Sequence, residues 1–187
     1  EATEPDFSKI EEAIASLQKR LNLHPLKYKA SVLKGKDLSN AYLHQAQFGY
    51  ANLKGINLKG SDLTGANLAR VNLSGANLSE ALLADANLSK AKLGGADLQK
   101  ADLSYANLKG GDLKEVNLSS ANLNAADLSA ANLSNANLTS ANVADGDLSN
   151  ANLQNANLSG ANLSGGDLAS ADLSGANLSN ANLSYVD

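Results

Sequence analysis

The chain offers few residues that could act as catalytic groups. His24 and His44 are the only histidines, and neither accompanies a recognisable nucleophile or metal-binding motif. Serine is frequent, but it recurs after leucine at positions typical of turns, with no general base beside it. The sequence contains no cysteine and no glycine-rich phosphate-binding motif. It therefore predicts a protein that is not an enzyme and that holds no cofactor.

One set of acidic residues recurs at a fixed interval. Asp127, Asp147 and Asp167 are 20 residues apart, and Gly146 and Gly166 precede the second and third of them. If residues 20 apart stack at about 4.8 Å, the three carboxylates repel one another. A bound Ca²⁺ would relieve that repulsion, and hydrogen bonds to neighbouring turns are the alternative. A calcium-binding role is therefore one hypothesis for this column.

A five-residue repeat determines how all these side chains are positioned. From Leu33 to Leu183 every fifth residue is Leu, apart from Phe48 and Val143, which gives 31 pentads in one phase over residues 31–185. Two positions before this residue, Ala occurs 22 times; the site directly before it is Asn 17 times and Asp nine times. The unit is therefore Ala-Asn/Asp-Leu-x-x, and we number its positions one to five.

The period of five favours a four-sided coil. Within a pentad the Ala and the Leu are two residues apart and face inward, the Asn or Asp between them faces outward, and the last two residues turn the chain. Four pentads then close a coil of 20 residues, nearly eight coils make a rod of about 37 Å, and each Leu stacks on the Leu 20 positions later. One such core ladder is Leu53, Leu73, Leu93, Leu113, Leu133, Leu153 and Leu173.

The fifth position predicts the turn. On the side that begins with Gly35 it is mostly Gly or Asn, which accept the positive φ of a type II turn. The side that holds Gln45, Asp85, Tyr105 and Ala125 shows no such preference, so a different turn is expected there.

The tandem Ala-Asn/Asp-Leu-x-x motif over residues 31–185 resembles the pentapeptide repeat family, which is common in cyanobacteria. The resemblance implies an all-β fold, a right-handed quadrilateral β-helix. It also implies a structural or interaction role as the main interpretation. Some members mimic DNA and bind gyrase, which makes an acidic DNA mimic the alternative.

The N-terminal segment has a different pattern. Phe7, Ile10, Ile14, Leu17 and Leu21 follow helical spacing, so residues 1–25 are predicted to form a helical cap and residues 26–187 the solenoid. No comparable segment follows Tyr185, so an end-to-end homodimer through the C-terminal coil is one hypothesis, and a chain truncated at this end is the alternative. A signal peptide removed before Glu1 would place the protein in the periplasm or thylakoid lumen; otherwise it is cytoplasmic.

Charge and exposed apolar residues indicate the partners. The net charge is −4, which argues against direct binding to nucleic acid or anionic membrane. Residues 116–187 contain six Asp and no Lys or Arg, although this charge density is below the one charge per ~1.7 Å of duplex DNA. Tyr42, Leu82 and Tyr105 are predicted to project from one side as a patch that docks a protein partner.

Overall fold

The computed structural model describes residues 33–187, which form a four-sided β-helix. Every parallel β-bridge joins residues 20 apart, from Asp37 with Asn57 to Asn162 with Asn182. Each bridge is a single second-position residue, and residues 33–187 contain no helix and no longer strand. The 20-residue coil is therefore confirmed, whereas the predicted cap over residues 1–25 and the start of the solenoid at residue 26 lie outside the described residues.

Four outer faces follow from this register, and each is defined by its column of second-position residues. Face 1 carries Asn52, Asn72, Lys92, Asp112, Asn132, Asn152 and Asp172. Face 2 carries Asp37, Asn57, Asn77, Asp97, Asn117, Asn137, Asn157 and Asn177. Face 3 carries Tyr42, Asp62, Leu82, Asp102, Asn122, Asn142, Asn162 and Asn182. Face 4 carries Gln47, Asn67, Asn87, Asn107, Asp127, Asp147 and Asp167.

The core is a narrow column of leucine with small residues beside it. Leu53 to Leu153 of the predicted ladder are buried, and Leu173 in the last coil is partly buried. Burial of one leucine side chain contributes roughly 1.5–3 kcal/mol, so stability is the sum of many similar neighbour contacts. Ser61 replaces Ala at a buried first position, where its hydroxyl donates to the Leu58 carbonyl at 2.8 Å.

A pentad in the middle of the rod with Asn or Asp at its second position satisfies all five of its backbone N–H groups. Three of them bond to neighbouring coils, one closes the turn, and the fourth-position N–H donates to the Oδ1 of the Asn or Asp two residues earlier. In a central pentad the five bonds are Ala131 to Leu128 O at 3.0 Å, Asn132 to Gly111 O at 2.9 Å, Leu133 to Asn152 O at 2.7 Å, Ser134 to Asn132 Oδ1 at 3.1 Å and Asn135 to Gln154 O at 2.9 Å.

These hydrogen bonds explain why the second position of the pentad is Asn or Asp. An Asn or Asp there supplies the acceptor for an N–H that no backbone carbonyl reaches, as between Asp37 and Ser39 at 3.0 Å and between Asn182 and Ser184 at 3.1 Å. The exposed second position therefore stabilises the fold, as the buried third-position leucine does.

The expectation of a different turn on one side is wrong. Every fifth-position residue from Gly35 to Tyr185 has positive φ, including Gln45 at 56°, Tyr105 at 58° and Ala125 at 54°. The same hydrogen bonds and the same stacked leucines surround all four turns, so they impose one geometry whatever residue occupies it. Left-handed φ costs a residue with a Cβ roughly 1–2 kcal/mol, and the coil contacts offset that cost.

Ala130 and Ala131 provide a test of this strain. Ala130 has φ of 55° on the surface, so Ala130→Gly should raise the free energy of unfolding by roughly 0.5–1 kcal/mol, because relief of strain exceeds the added entropy of the unfolded chain. Ala131 is buried, so Ala131→Gly should lower the free energy of unfolding by roughly 1–2 kcal/mol. Urea unfolding of both variants measures this, and equal destabilisation by the two changes would refute the assigned strain.

Candidate functional site

The predicted docking residues lie on and beside face 3. Tyr42 and Leu82 belong to its column and are 64% and 46% exposed, and Tyr105 is 62% exposed on the corner that follows this face. The Tyr42 ring stacks on His44 with centroids 5.9 Å apart and an interplanar angle of 13°. The structure therefore brings Tyr42, Leu82 and Tyr105 to one side of the rod, and we name them the face 3 patch.

Tyr42 and Leu82 occupy second positions but lack the Asn or Asp oxygen that accepts the turn hydrogen bond. Within residues 33–187, only Tyr42, Gln47, Leu82 and Lys92 occupy a second position without being Asn or Asp. The N–H groups of His44 and Ala84, which follow Tyr42 and Leu82, have no hydrogen bond within the described residues. A lost hydrogen bond of this kind is worth about 1 kcal/mol. Residues that give up such a bond are expected at functional sites.

The face 3 patch has acidic surroundings. Asp62 and Asp102 alternate with its residues along the column, and Asp85 lies on the same corner as Tyr105. No Lys or Arg occupies face 3 or the corner that follows it, within residues 33–187. The patch is thus apolar with carboxylates at its edges.

The rest of face 3 is an amide ladder. From Asp102 the side-chain Oδ1 of each residue accepts from the Nδ2 of the residue one coil later, at 3.0 to 3.2 Å. The ladder continues to Asn182, so the amide groups here are used within the protein.

The stacked aspartates on face 4 are held by their own turns. Asp127, Asp147 and Asp167 each accept through Oδ1 from the fourth-position N–H at 2.8 to 2.9 Å. Asp187 lies one coil beyond Asp167, because its N–H donates to the Gly166 carbonyl at 3.1 Å. The interval of 20 already indicated Asp187, which the sequence reasoning missed.

These aspartates do not form the hypothesised calcium site. Across the described part of the chain, no group of three or more His, Cys, Asp or Glu side chains is arranged to hold a metal ion. The alternative explanation given above, hydrogen bonding to the turns, accounts for their placement.

Asp172 on face 1 is the acidic group whose environment is best defined. The Ser174 hydroxyl donates to its Oδ1 at 2.6 Å and holds the pKa of Asp172 below the ordinary value of 3.8. The Ser174 N–H at 2.9 Å and the Gln154 amide lower this pKa further, against a smaller effect of desolvation.

Removing that hydroxyl should change the titration of Asp172. We expect Ser174→Ala to raise the native pKa of Asp172 toward 3.8, as measured by NMR of the carboxyl carbon. The native pKa is lowered, so the associated stability is present above the unfolded value and is lost as the pH falls through the native one. The stability difference between wild type and variant should accordingly shrink below pH 3.8. A pKa that does not move in the variant would contradict this assignment.

The fold and its outer faces define residues 33–187 as a quadrilateral β-solenoid built from repeats. The family model for pentapeptide repeats matches residues 29–60, 41–83, 81–119, 117–155 and 147–184, in eight copies. The chain belongs to the pentapeptide repeat family. Members of this family form right-handed quadrilateral β-helices, which agrees with the handedness that the resemblance implied.

Solved structures include several similar chains. Full-length QnrB1, a plasmid-mediated fluoroquinolone resistance protein, is 21% identical over 83% of this chain and 90% of its own, with a TM-score of 0.68. HetL of the cyanobacterium Nostoc sp., involved in heterocyst differentiation regulation, is 31% identical over 83% and 84%, with a TM-score of 0.40. A pentapeptide repeat protein of the Arabidopsis thaliana thylakoid lumen is 26% identical over 83% and 70%, with a TM-score of 0.21.

The family match and the likeness to QnrB1 support the fold. The likeness to QnrB1 concerns the fold, and pentapeptide repeat proteins are in general structural or interaction modules. No curated protein sequence matches the chain. Residues 33–187 contain no helix long and apolar enough to cross a membrane.

Proposed function

We propose that this chain is a non-enzymatic interaction module that binds a protein partner through the face 3 patch. The observation that carries the proposal is the loss of the turn acceptor at Tyr42 and Leu82. Each of these residues replaces an Asn or Asp that would complete the hydrogen bonds of its pentad, and each is exposed. The fold gains nothing from them, whereas a binding surface gains exposed apolar side chains.

The surroundings of the patch define the chemistry of the partner. Asp62, Asp85 and Asp102 surround it, and no Lys or Arg lies on face 3 or the corner that follows it within the described residues. A partner segment with an apolar centre flanked by Lys or Arg is complementary to that arrangement. The rigid coil holds Tyr42 and Leu82 two coils apart, about 9.6 Å, so little ordering is required on binding.

Substitution by the residue that the repeat prefers separates binding from folding. The double variant Tyr42→Asn, Leu82→Asn should raise the free energy of unfolding by roughly 1–2 kcal/mol, because it restores two turn hydrogen bonds. The same variant should lose the captured partner in an affinity pull-down, judged by mass spectrometry against wild type.

Lys92→Asn on face 1 is the matched control. It makes the same substitution at another second position that lacks Asn or Asp, and it should stabilise the protein without altering capture. If the double variant retains every protein that wild type captures, the face 3 patch is not the binding surface.

The DNA-mimic alternative has less support from the surface. The acidic column of face 4 begins only at Asp127, and the other half of the same face has Arg70, Lys90 and Lys109 at its edge. A duplex presents uniform negative charge along its length. The charge of face 4 instead changes from positive to negative midway along the rod.

The end-to-end homodimer remains a prediction. In it, the last coils of two copies stack on each other and Leu183, which is 43% exposed, lies in the contact. Leu183→Asp should then abolish the dimer in sedimentation velocity, and a wild-type monomer at high protein concentration would exclude it.

A further inference from the structure

Face 4 is divided into two chemically opposite halves. Its column begins with four amides, Gln47, Asn67, Asn87 and Asn107, and continues with four carboxylates, Asp127, Asp147, Asp167 and Asp187. Faces 1 and 2 show no division into halves, and face 3 divides differently, with Tyr42, Asp62, Leu82 and Asp102 followed by four Asn. The boundary between the halves falls at the middle of the column, after the fourth of eight coils.

Part of the hydrogen-bonding capacity on face 4 is left unused, although Asn67 Nδ2 donates to Gln47 Oε1 at 3.3 Å. The side-chain amide N–H groups of Asn87 and Asn107 donate to nothing within residues 33–187, in contrast to those of the face 3 ladder. The described hydrogen bonds of Asp127 and Asp147 engage only Oδ1, so Oδ2 is available. Donors therefore remain on one half of the face and acceptors on the other.

The basic residues of this face lie beside the amide half. Arg70 and Lys90 occupy the corner after face 4, one per coil, and Lys109 lies one residue before that corner in the next coil. All three are exposed. The amide half is thus positively charged and the carboxylate half negatively charged.

A second copy turned end for end matches this pattern in register. The relevant two-fold axis lies parallel to the face and perpendicular to the rod, between the coils of Asn107 and Asp127. It places each coil of the amide half opposite one coil of the carboxylate half, at a common rise of about 4.8 Å. The facing pairs are Gln47 with Asp187, Asn67 with Asp167, Asn87 with Asp147 and Asn107 with Asp127.

The basic side chains have the same register. Arg70 shares its coil with Asn67, Lys90 with Asn87 and Lys109 with Asn107, so they face the coils of Asp167, Asp147 and Asp127 in the other copy. Within one copy the Arg70 guanidinium lies over the Tyr50 ring, 5.7 Å from its centroid. In the dimer the three long side chains would reach from the edge of the face toward these carboxylates. Every interaction occurs twice because the axis is two-fold.

We propose that the protein forms an antiparallel homodimer through face 4, with the amide and basic half of each copy against the carboxylate half of the other. Apart from Lys109, the fourth-position residues of face 4 are small, as at Ala69, Ser89, Ser149 and Ala169, so the two flat faces approach closely. Asp85 and Asp145 meet at the exposed rim, where solvent screens their repulsion.

The size and polarity of the face determine the strength of this dimer. Five residues span at most about 16 Å and eight coils rise about 38 Å, so the two partners together bury at most roughly 1,200 Å². That area is at the lower limit for stable interfaces. The interactions are polar and charged, so the dimer should be weak and should weaken further as salt is added.

Sedimentation equilibrium of the full chain tests the proposal directly. We expect a reversible monomer–dimer equilibrium at about 20 mM NaCl that shifts toward monomer at about 500 mM. The triple variant Asp127→Asn, Asp147→Asn, Asp167→Asn keeps the turn acceptors but removes the charge, and should weaken dimerisation about tenfold or more. The matched control Asp97→Asn, Asp102→Asn, Asp112→Asn makes the same charge change on the other three faces and should leave the equilibrium unchanged.

A complementary variant makes the test specific to this pairing. Arg70→Glu, Lys90→Glu, Lys109→Glu gives face 4 one sign throughout and should be monomeric. Mixed with the triple Asn variant, it should form a heterodimer, because its carboxylates then face Arg70, Lys90 and Lys109 of the other chain. A wild-type monomer at low salt, a dimer insensitive to both triple variants, or a dimer abolished only by Leu183→Asp would overturn the proposal.

Discussion

The structure depends on the 20-residue register in which each coil lies on the next. Only in that register do the backbone N–H groups of a pentad find carbonyl oxygens on the coils above and below, while the leucines form one continuous column. A shift of one residue would place second-position Asn or Asp in a core too narrow to hydrate them. Every other feature of the rod is compatible with this stacking or is imposed by it.

The turns show how strongly the register overrides local preference. Arg70, Tyr105 and Glu115 are poor residues for left-handed backbone, yet their φ values of 55° to 58° match those of the other turns. Their conformation is not chosen by their own side chains, because the inter-coil hydrogen bonds on either side leave one geometry. Residues with side chains can therefore occupy corners, where they add charge and shape to the surface.

The outer faces divide into positions that serve the fold and positions that do not. An Asn or Asp at the second position completes the turn, and on face 3 it also joins the amide ladder from Asp102 to Asn182. Tyr42 and Leu82 do neither, which separates the proposed binding patch from the structural background. On face 4, Asn and Asp serve the turn equally well, because both supply Oδ1. The division of this column into an amide half and a carboxylate half is therefore not required for folding.

Sequence by itself determined the repeat, the 20-residue coil, the buried leucine ladder and the outward direction of Tyr42, Leu82 and Asp127, because a period of five with small and large apolar residues two apart permits one arrangement. It did not determine the turn at Gln45 and Ala125 or the acceptor role of the second position. Those depend on which backbone groups neighbouring coils leave unpaired, and that is decided only when the coils are stacked. The division of face 4 is likewise readable in the sequence, but its unused donors and acceptors emerge only from the hydrogen bonds of the folded rod.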